Sequence, residues 1–346
     1  MARRNKFGDP ATVPPNHSNG VAFTPAGDII AVAHDVTPFV SAYPWSGGGF
    51  GTKFSNPSTL PTGNGRGVSF TAAGDVVAVA HATSPFLSVY AWSGGGFGTK
   101  FSNPSTLLDG QGNAVAFSHA GDAIVVACVT SPYVAAYPWS GSGFGTKFAD
   151  PSTTPPSNGT GVAFTPADDV VAVSHIGTPF VAAYPWSGSG FGTKFSDPAT
   201  LATGFGGGVA FAPSGDAIAV AHDNTPFVTA YPWSGSGFGT KYADPATLPT
   251  GNGNAIAFGE IVTAVEHVAS GALTGAGAIL SGAAARTRQH AASGALVGAG
   301  AVIVGSAARP SSVSPGFAAL AITGAGAALG SSGSGASITD TGATAA

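Results

Sequence analysis

The chain repeats one arrangement of hydrophobic and polar positions every 47 residues. In the first copy, residues 29–34 form a continuous apolar run ending in a histidine, which is typical of a strand buried on both faces. Shorter segments at 20–23, 39–45 and 50–54 combine apolar, β-branched and aromatic residues, and turns rich in glycine and proline separate them. Each copy is therefore predicted to contain four β-strands.

Five full copies follow one another without insertion or deletion between residues 20 and 254. A period of 40–50 residues with several short strands is typical of a β-propeller. We therefore predict an all-β fold in which residues 1–267 form a propeller. The markers of the repeat include Phe23, Phe70, Phe117, Phe164, Phe211 and Phe258, and also Lys6, Lys53, Lys100, Lys147, Lys194 and Lys241.

The two ends of the repeat array predict how the propeller closes. Residues 6–10 match the fourth strand of a copy, residues 255–258 match the first strand, and residues 260–267 resemble a shortened second strand. The N-terminal strand is expected to join these C-terminal strands in a composite blade, because closure removes an open sheet edge. Six blades are predicted, with a five-bladed ring as the alternative.

Composition changes sharply after residue 267, where alanine, glycine and serine dominate and a second repeat of 23 residues begins. In one interpretation each unit is a β-hairpin. In the other, residues 291–308 form a membrane helix of the minimum spanning length, with a small-residue packing face. The regular arginine and histidine positions favour β-structure, so we expect a β region for assembly or anchoring at 268–330 and a flexible tail at 331–346.

Composition and charge restrict the partners and the compartment. Only 8% of the residues are charged and the net charge is −4, which argues against a nucleic-acid partner. A single cysteine excludes a disulfide within the chain. The N-terminal residues lack the apolar segment of a secretory signal, so assembly in a cytoplasm is expected.

One position at the end of the second strand is histidine or cysteine in every copy, and these residue types suggest a metal site. Metal ligands must lie within about 2.3 Å of a common ion, and equivalent positions of adjacent blades are too far apart for that. We expect structural, hydrogen-bonded side chains here, with nearby residues such as Thr37 as partners, and we predict no metal or other cofactor. The position is occupied by His34, His81, Cys128, His175 and His222.

The aromatic residues of the third strand have two interpretations, either packing between blades or platforms that stack on sugars. These residues are Tyr43, Trp45, Tyr90, Trp92, Tyr137, Trp139, Tyr184, Trp186, Tyr231 and Trp233. Two further repeated positions have structural interpretations. Asp28 and its equivalents are expected to accept backbone N–H groups in a turn. The repeated lysines are expected to form a solvated ring that discourages edge aggregation.

The regularity of the repeat argues against catalysis, because an active site needs different groups that converge on one reacting atom. A catalytic residue is expected to depart from the repeat. The departures are scattered over different blades and predict no acid–base or nucleophile pair. They are Arg66, Asp109, His119, Cys128, Asp168 and Phe205.

The unit GVAFTPAGDIIAVAHDVTPFVSAYPWSGGGFGTKFSNPSTLPTG resembles the WD40-like propeller repeats of virion proteins from tailed bacteriophages. Units such as HAASGALVGAGAVIVGSAAR resemble segments of phage structural and tail proteins. The resemblance covers residues 6–267 and 268–330 and implies a non-enzymatic virion protein, assembled in the host cytoplasm, in a tail, fibre or capsid-surface position. Implied partners are other virion proteins, further copies of the chain and a host-surface glycan, but no membrane. A cellular binding propeller, lectin-like or attached to an envelope, is the alternative.

Overall fold

The computed structural model describes residues 7–259 and, beyond them, seven short strands. The chain divides into two compact units, Met1–Glu260 and Ile261–Ala346. Every regular element in the described residues is a β-strand, so the predicted all-β class is confirmed. No helix long and apolar enough to cross a membrane occurs in this part of the chain.

The first unit is a β-propeller with five antiparallel blades in its described residues. Blade 1 contains β1 (Ser18–Phe23), β2 (Ile29–His34), β3 (Val40–Ser46) and β4 (Gly49–Phe50). Blade 2 contains β5 (Gly65–Phe70), β6 (Val76–His81), β7 (Leu87–Ser93) and β8 (Gly96–Lys100). Blade 3 contains β9 (Gly112–Phe117), β10 (Ala123–Cys128) and β11 (Val134–Pro138). Blade 4 contains β12 (Gly159–Phe164), β13 (Val170–His175) and β14 (Val181–Pro185). Blade 5 contains β15 (Gly206–Phe211), β16 (Ala217–His222) and β17 (Val228–Pro232).

The second strand of each blade is apolar throughout because its two faces serve two different hydrophobic cores. In β6, Val77 and Val79 pack in the core shared with blade 1, whereas Val76 and Ala78 pack in the core shared with blade 3. Side chains alternate between the faces of a strand, so a strand between two blades must be apolar at successive positions. The continuous run in the sequence thus follows from the stacking of blades.

The fourth predicted strand forms only in part. Blades 1 and 2 contain it as β4 and β8. In blades 3, 4 and 5 it is reduced to a single bridge between tryptophan and phenylalanine, as in Trp139–Phe144. This difference coincides with a change of the preceding turn from Ser-Gly-Gly-Gly to Ser-Gly-Ser-Gly.

The described residues contain five blades and do not include the predicted composite blade. Phe7 packs edge-on against Trp45 with ring centroids 5.1 Å apart, as Phe54 packs on Trp92 in the next repeat. However, residues 7–10 form no strand, and Val21 on β1 is 61% exposed where its equivalent Val68 is 8% exposed. Residues 260–266, which the sixth blade needs, lie outside the described residues, so closure stays a prediction.

The described strands of the second unit pair in parallel, between successive 23-residue repeats. Ile279 pairs with Val302, for example, and Leu273 with Leu296. A hairpin pairs antiparallel within one unit, so the hairpin interpretation is wrong, and the strands found within 291–308 likewise overturn the membrane helix. The predicted tail, 331–346, lies outside the described residues. The strands are β18 (His267–Ser270), β19 (Leu273–Thr274), β20 (Ile279–Ala284), β21 (His290–Ser293), β22 (Leu296–Val297), β23 (Val302–Ala307) and β24 (Ala328–Leu329).

Candidate functional site

The histidines of the second strands are fully buried and engage the adjacent third strand. Nε2 of His34 lies 3.0 Å from Oγ of Ser41, and the same pairing joins His81 to Ser88 and His222 to Thr229. The partner is thus the residue seven positions later, rather than the nearer Thr37 expected from the sequence. No group of three metal-binding side chains occurs among the described residues.

Blades 3 and 4 depart from this pairing. Alanine replaces the hydroxyl residue at positions 135 and 182, and Nε2 of His175 has no hydrogen-bond partner in the described structure. Burial lowers the pKa of His175 to about 4, and it does the same for His81. Cys128 donates its thiol proton to Thr130 O at 3.4 Å, and burial raises its pKa to about 11. This thiol is therefore inert, and the whole position is structural.

The aromatic residues of the third strands lie inside the blades. All five tyrosine side chains are inaccessible to solvent, and the hydroxyl groups of Tyr43, Tyr184 and Tyr231 each donate to the carbonyl oxygen of a threonine. Four of the tryptophans are buried and Trp45 is half-buried. The structure therefore assigns the nine buried residues to packing, because a buried ring has no face available to a sugar. The half-buried Trp45 packs edge-on against Phe7, Phe23 and Phe50.

Each tryptophan stands at the centre of an aromatic cluster. Trp139 meets Phe101, Phe117 and Phe144 edge-on, with centroid distances between 5.0 and 6.1 Å. Phe101 belongs to the preceding repeat, whereas the other two belong to the same blade. Edge-to-face contacts are the favoured aromatic geometry, so each cluster ties a blade to the repeat before it.

The repeated aspartates and lysines make local polar contacts. Asp28 accepts a hydrogen bond from the Thr24 hydroxyl at 2.6 Å, and no backbone N–H among the described residues donates to its carboxylate, so the contact expected from the sequence is wrong. The lysines bond to the residue three positions later, which is asparagine in blades 1 and 2 and aspartate afterwards. Lys147 is only 12% exposed, so these lysines do not form the solvated ring expected from the sequence.

Two of the departures from the repeat meet between blades 3 and 4. Asp168 stands where other blades have a turn glycine and adopts a φ of 56°. Its carboxylate accepts the backbone N–H of His119 at 2.8 Å and that of Ala120 at 2.7 Å, and it lies 3.0 Å from Nδ1 of His119. The sequence predicted no pairing among the departures, yet these residues join adjacent turns. Two backbone donors use this carboxylate, which indicates a structural link.

An accessible repeated feature lies at the opposite end of the second strand from these turns. After each proline of the loop between the second and third strands stands an aromatic residue with φ between 67° and 74°. Bulky residues rarely adopt this left-handed conformation. Each of these side chains is half-buried, unlike the tyrosines and most of the tryptophans. The residues are Phe39, Phe86, Tyr133, Phe180 and Phe227.

The carbonyl oxygen of each of these aromatic residues lies against a glycine that opens the next repeat. A Cβ at Gly112 would come within 2.8 Å of Phe86 O, and the same overlap occurs in the other four repeats. The residue before each glycine therefore lies beside the aromatic residue. In one repeat the two side chains are both aromatic, and the ring centroids of Phe180 and Phe205 lie 6.3 Å apart, which confirms that the two positions are adjacent. These neighbouring residues are Asn64, Gln111, Asn158, Phe205 and Asn252.

We call the five aromatic residues and their neighbours the inter-blade clefts. The backbone of Asn64 is held within blade 2, because the N–H of Ala82 donates to its carbonyl oxygen at 3.0 Å. Within residues 7–259, the side-chain amides of Asn64, Asn158 and Asn252 have no hydrogen-bond partner. The sequence signal for these clefts was the repeated Pro-aromatic pair followed by an amide-glycine pair, which our sequence interpretation had divided between a strand and a crossover.

The fold and these clefts define a β-propeller in which one accessible aromatic position recurs in each of the five described blades. Comparison with known proteins adds no family to this class, since no protein-family model and no curated protein matches the sequence.

Proposed function

We propose that this protein is a non-enzymatic virion component of a tailed bacteriophage whose propeller binds a partner through its repeated surface. The observation that carries the binding role is the fivefold recurrence of one accessible aromatic position, with an amide beside it in four of the five clefts. Repeated equivalent groups suit a partner that is itself repetitive, because several weak contacts then add up in avidity.

The distribution of the departures supports a binding role over a catalytic one. His119 and Asp168, the two that meet, are engaged with turn backbone, and Cys128 is a buried thiol with a raised pKa. Catalysis needs a nucleophile, a base and a stabilising donor around one reacting atom. The repeated aspartates and lysines are instead committed to local contacts.

The virion assignment rests on the resemblance of both repeats to phage structural proteins. The parallel pairing of successive 23-residue repeats is consistent with an assembly or anchoring segment, since such repeats stack into regular arrays. A cellular lectin-like propeller would use the same clefts and differs in where the protein is found.

The proposal is tested by asking whether the chain belongs to a particle. Phage particles are purified on a density gradient from a bacterial culture in which the gene for this chain is expressed. The amount of the chain in the particles is measured by mass spectrometry and immunogold labelling. We expect a fixed copy number per particle that survives a high-salt wash. Absence from gradient-purified particles, with the protein retained in the cell fraction, would overturn the virion role and favour the cellular alternative.

A further inference from the structure

We propose that the inter-blade clefts bind the sugar rings of a polysaccharide, one ring in each cleft that pairs an aromatic residue with an amide. This inference deepens the proposed binding function and rests on it. Four of the five clefts meet the condition, and the fourth along the chain, at Phe180, does not because Phe205 replaces the amide. The clefts are Phe39 with Asn64, Phe86 with Gln111, Tyr133 with Asn158, and Phe227 with Asn252.

The chemistry of the two side chains matches the two kinds of surface on a pyranose. A half-buried aromatic ring offers a flat apolar face to the C–H side of the sugar. A carboxamide both donates and accepts hydrogen bonds, as neighbouring hydroxyl groups require. The amides of Asn64 and Asn158 make no hydrogen bond within the described residues, so a ligand takes them without breaking an internal contact.

The backbone around each cleft fixes this pairing. The left-handed aromatic residue accepts a hydrogen bond through its carbonyl oxygen, as when His81 N donates to Phe86 O at 2.9 Å. The same carbonyl lies over the glycine that follows the amide residue, and any larger residue there would overlap it. The aromatic residue and the amide are thus held next to each other by main-chain contacts that recur in every repeat.

The absence of charged side chains at the two cleft positions favours a neutral sugar over a charged partner. Neither position carries a charged side chain in any of the five repeats, so no ion pair selects an acidic or a basic ligand. A peptide that added a strand would need a free sheet edge, whereas the clefts lie where a loop meets the next blade. A polysaccharide also repeats along its length, as the clefts do along the chain.

The first test uses variants that spare the fold. Asn64→Ala, Asn158→Ala and Asn252→Ala are combined in the full chain, and binding to immobilised capsular polysaccharides and lipopolysaccharide O-chains is measured by biolayer interferometry. Because these amides have no internal partner, thermal stability is expected to stay unchanged. Affinity for the polysaccharide that the parent chain binds is expected to fall at least about tenfold, since each lost hydrogen bond weakens binding and the sites act together.

The fourth cleft supplies a matched control within the same chain. Phe180→Asn changes the aromatic residue of the cleft that lacks an amide and is expected to leave binding unchanged. Phe39→Asn changes the same position in a complete cleft and is expected to weaken binding about threefold or more. Asparagine tolerates the left-handed conformation, so both variants keep the loop. Phe205→Asn completes this fourth cleft and is expected to strengthen binding.

Two outcomes would overturn the cleft proposal. One is that the parent chain binds none of the polysaccharides, including the case in which it binds only a protein. The other is that the triple asparagine variant binds as well as the parent. If the chain is found in particles but binds no polysaccharide, the virion role stands and the cleft proposal fails. If the chain binds polysaccharide but is absent from particles, the cleft proposal stands and the virion role fails.

Discussion

The buried histidines predict how the propeller responds to acid, and His175→Cys isolates their effect. Blade 3 already contains a cysteine at this position, with an alanine seven residues later, and blade 4 has an alanine at the corresponding place. The substitution therefore gives blade 4 the local arrangement of blade 3. It removes an imidazole whose Nε2 has no hydrogen-bond partner in the described residues.

The magnitude follows from the pKa of His175, which burial lowers from 6.5 to about 4. The unfolded chain binds a proton more readily than the folded chain, so the stability contributed by the neutral imidazole is present above pH 6.5. It is lost as the pH falls through 4. A difference of one pKa unit corresponds to about 1.36 kcal/mol, so this histidine costs roughly 3 kcal/mol of stability on acidification. His81 has the same shift and contributes a similar loss.

The assay is urea unfolding of the full chain at a series of pH values from 7 to 4, with tryptophan fluorescence as the signal of unfolding. His175→Cys is expected to change stability at pH 7 by no more than about 1 kcal/mol, because relief of the unpaired nitrogen offsets the smaller side chain. Between pH 6.5 and 4, the variant is expected to lose roughly 3 kcal/mol less than the parent chain.

His81→Cys provides the matched control, because Nε2 of His81 bonds to Ser88. That variant leaves a buried hydroxyl unpaired and is expected to lose about 1–2 kcal/mol at pH 7, yet it shows the same relief in acid. If His175→Cys and the parent chain lose equal stability between pH 6.5 and 4, the buried imidazole does not control acid unfolding and the reasoning is refuted.

Three further predictions concern the contacts between blades, each measured by equilibrium unfolding. Gly65→Ala is expected to cost about 1–3 kcal/mol because its Cβ overlaps the backbone of the preceding blade, whereas Gly47→Ala, with no atom within 4 Å, is expected to be neutral; equal effects would contradict the overlap. Trp139→Ala is expected to cost about 3–5 kcal/mol, since three rings lose their partner, and a loss below about 1 kcal/mol would rule out that packing role. Asp168→Gly is expected to cost about 1 kcal/mol through the hydrogen bonds lost from blade 3, and a gain in stability would show that left-handed strain outweighs them.

The second strands were predictable because a continuous apolar run of six residues, bounded by turn residues, is typical of a strand buried on both faces. The predicted run at 29–34 coincides with β2, since a charged turn residue precedes it and a Thr-Pro break follows shortly after. The first and third strands differ by one or two residues at their ends, where frayed pairing makes boundaries less certain from sequence. The fourth strand depended on the conformation of a glycine turn, which composition alone does not determine.

The partner of the histidines required knowledge of strand register. Ser41 pairs with Val32, which lies two residues before His34 on the same face of the strand, so the hydroxyl of Ser41 reaches the imidazole diagonally across the two strands. A sequence search for a nearby threonine finds Thr37 first, because that residue is closer along the chain. The signal was present in the copies: hydroxyl residues accompany three of the histidines, and alanine accompanies Cys128.

The second unit illustrates an ambiguity that repeat length does not remove. A 23-residue unit of alanine and glycine is compatible with a local hairpin and with coils that stack in parallel, because small side chains satisfy both packings. Only the pairing of Ile279 with Val302, one repeat apart, distinguishes them. Sequence periodicity reports that units are equivalent, but it does not report whether they pair within themselves or with each other.

The same distinction explains why the inter-blade clefts escaped a search for departures. Catalysis is expected where the repeat is broken, and the pair of His119 and Asp168 shows that a break also arises from the need to tie two blades together. Recognition of a repetitive partner needs the opposite, a group that the repeat preserves. Three of the four cleft amides also have no internal hydrogen bond among the described residues, whereas Gln111 Nε2 donates to Asn113 Oδ1 at 2.8 Å. This view also explains the significance of Phe205, which had no interpretation as an isolated departure from the repeat. This residue removes one amide from an otherwise regular series, so the series itself can be tested by restoring it.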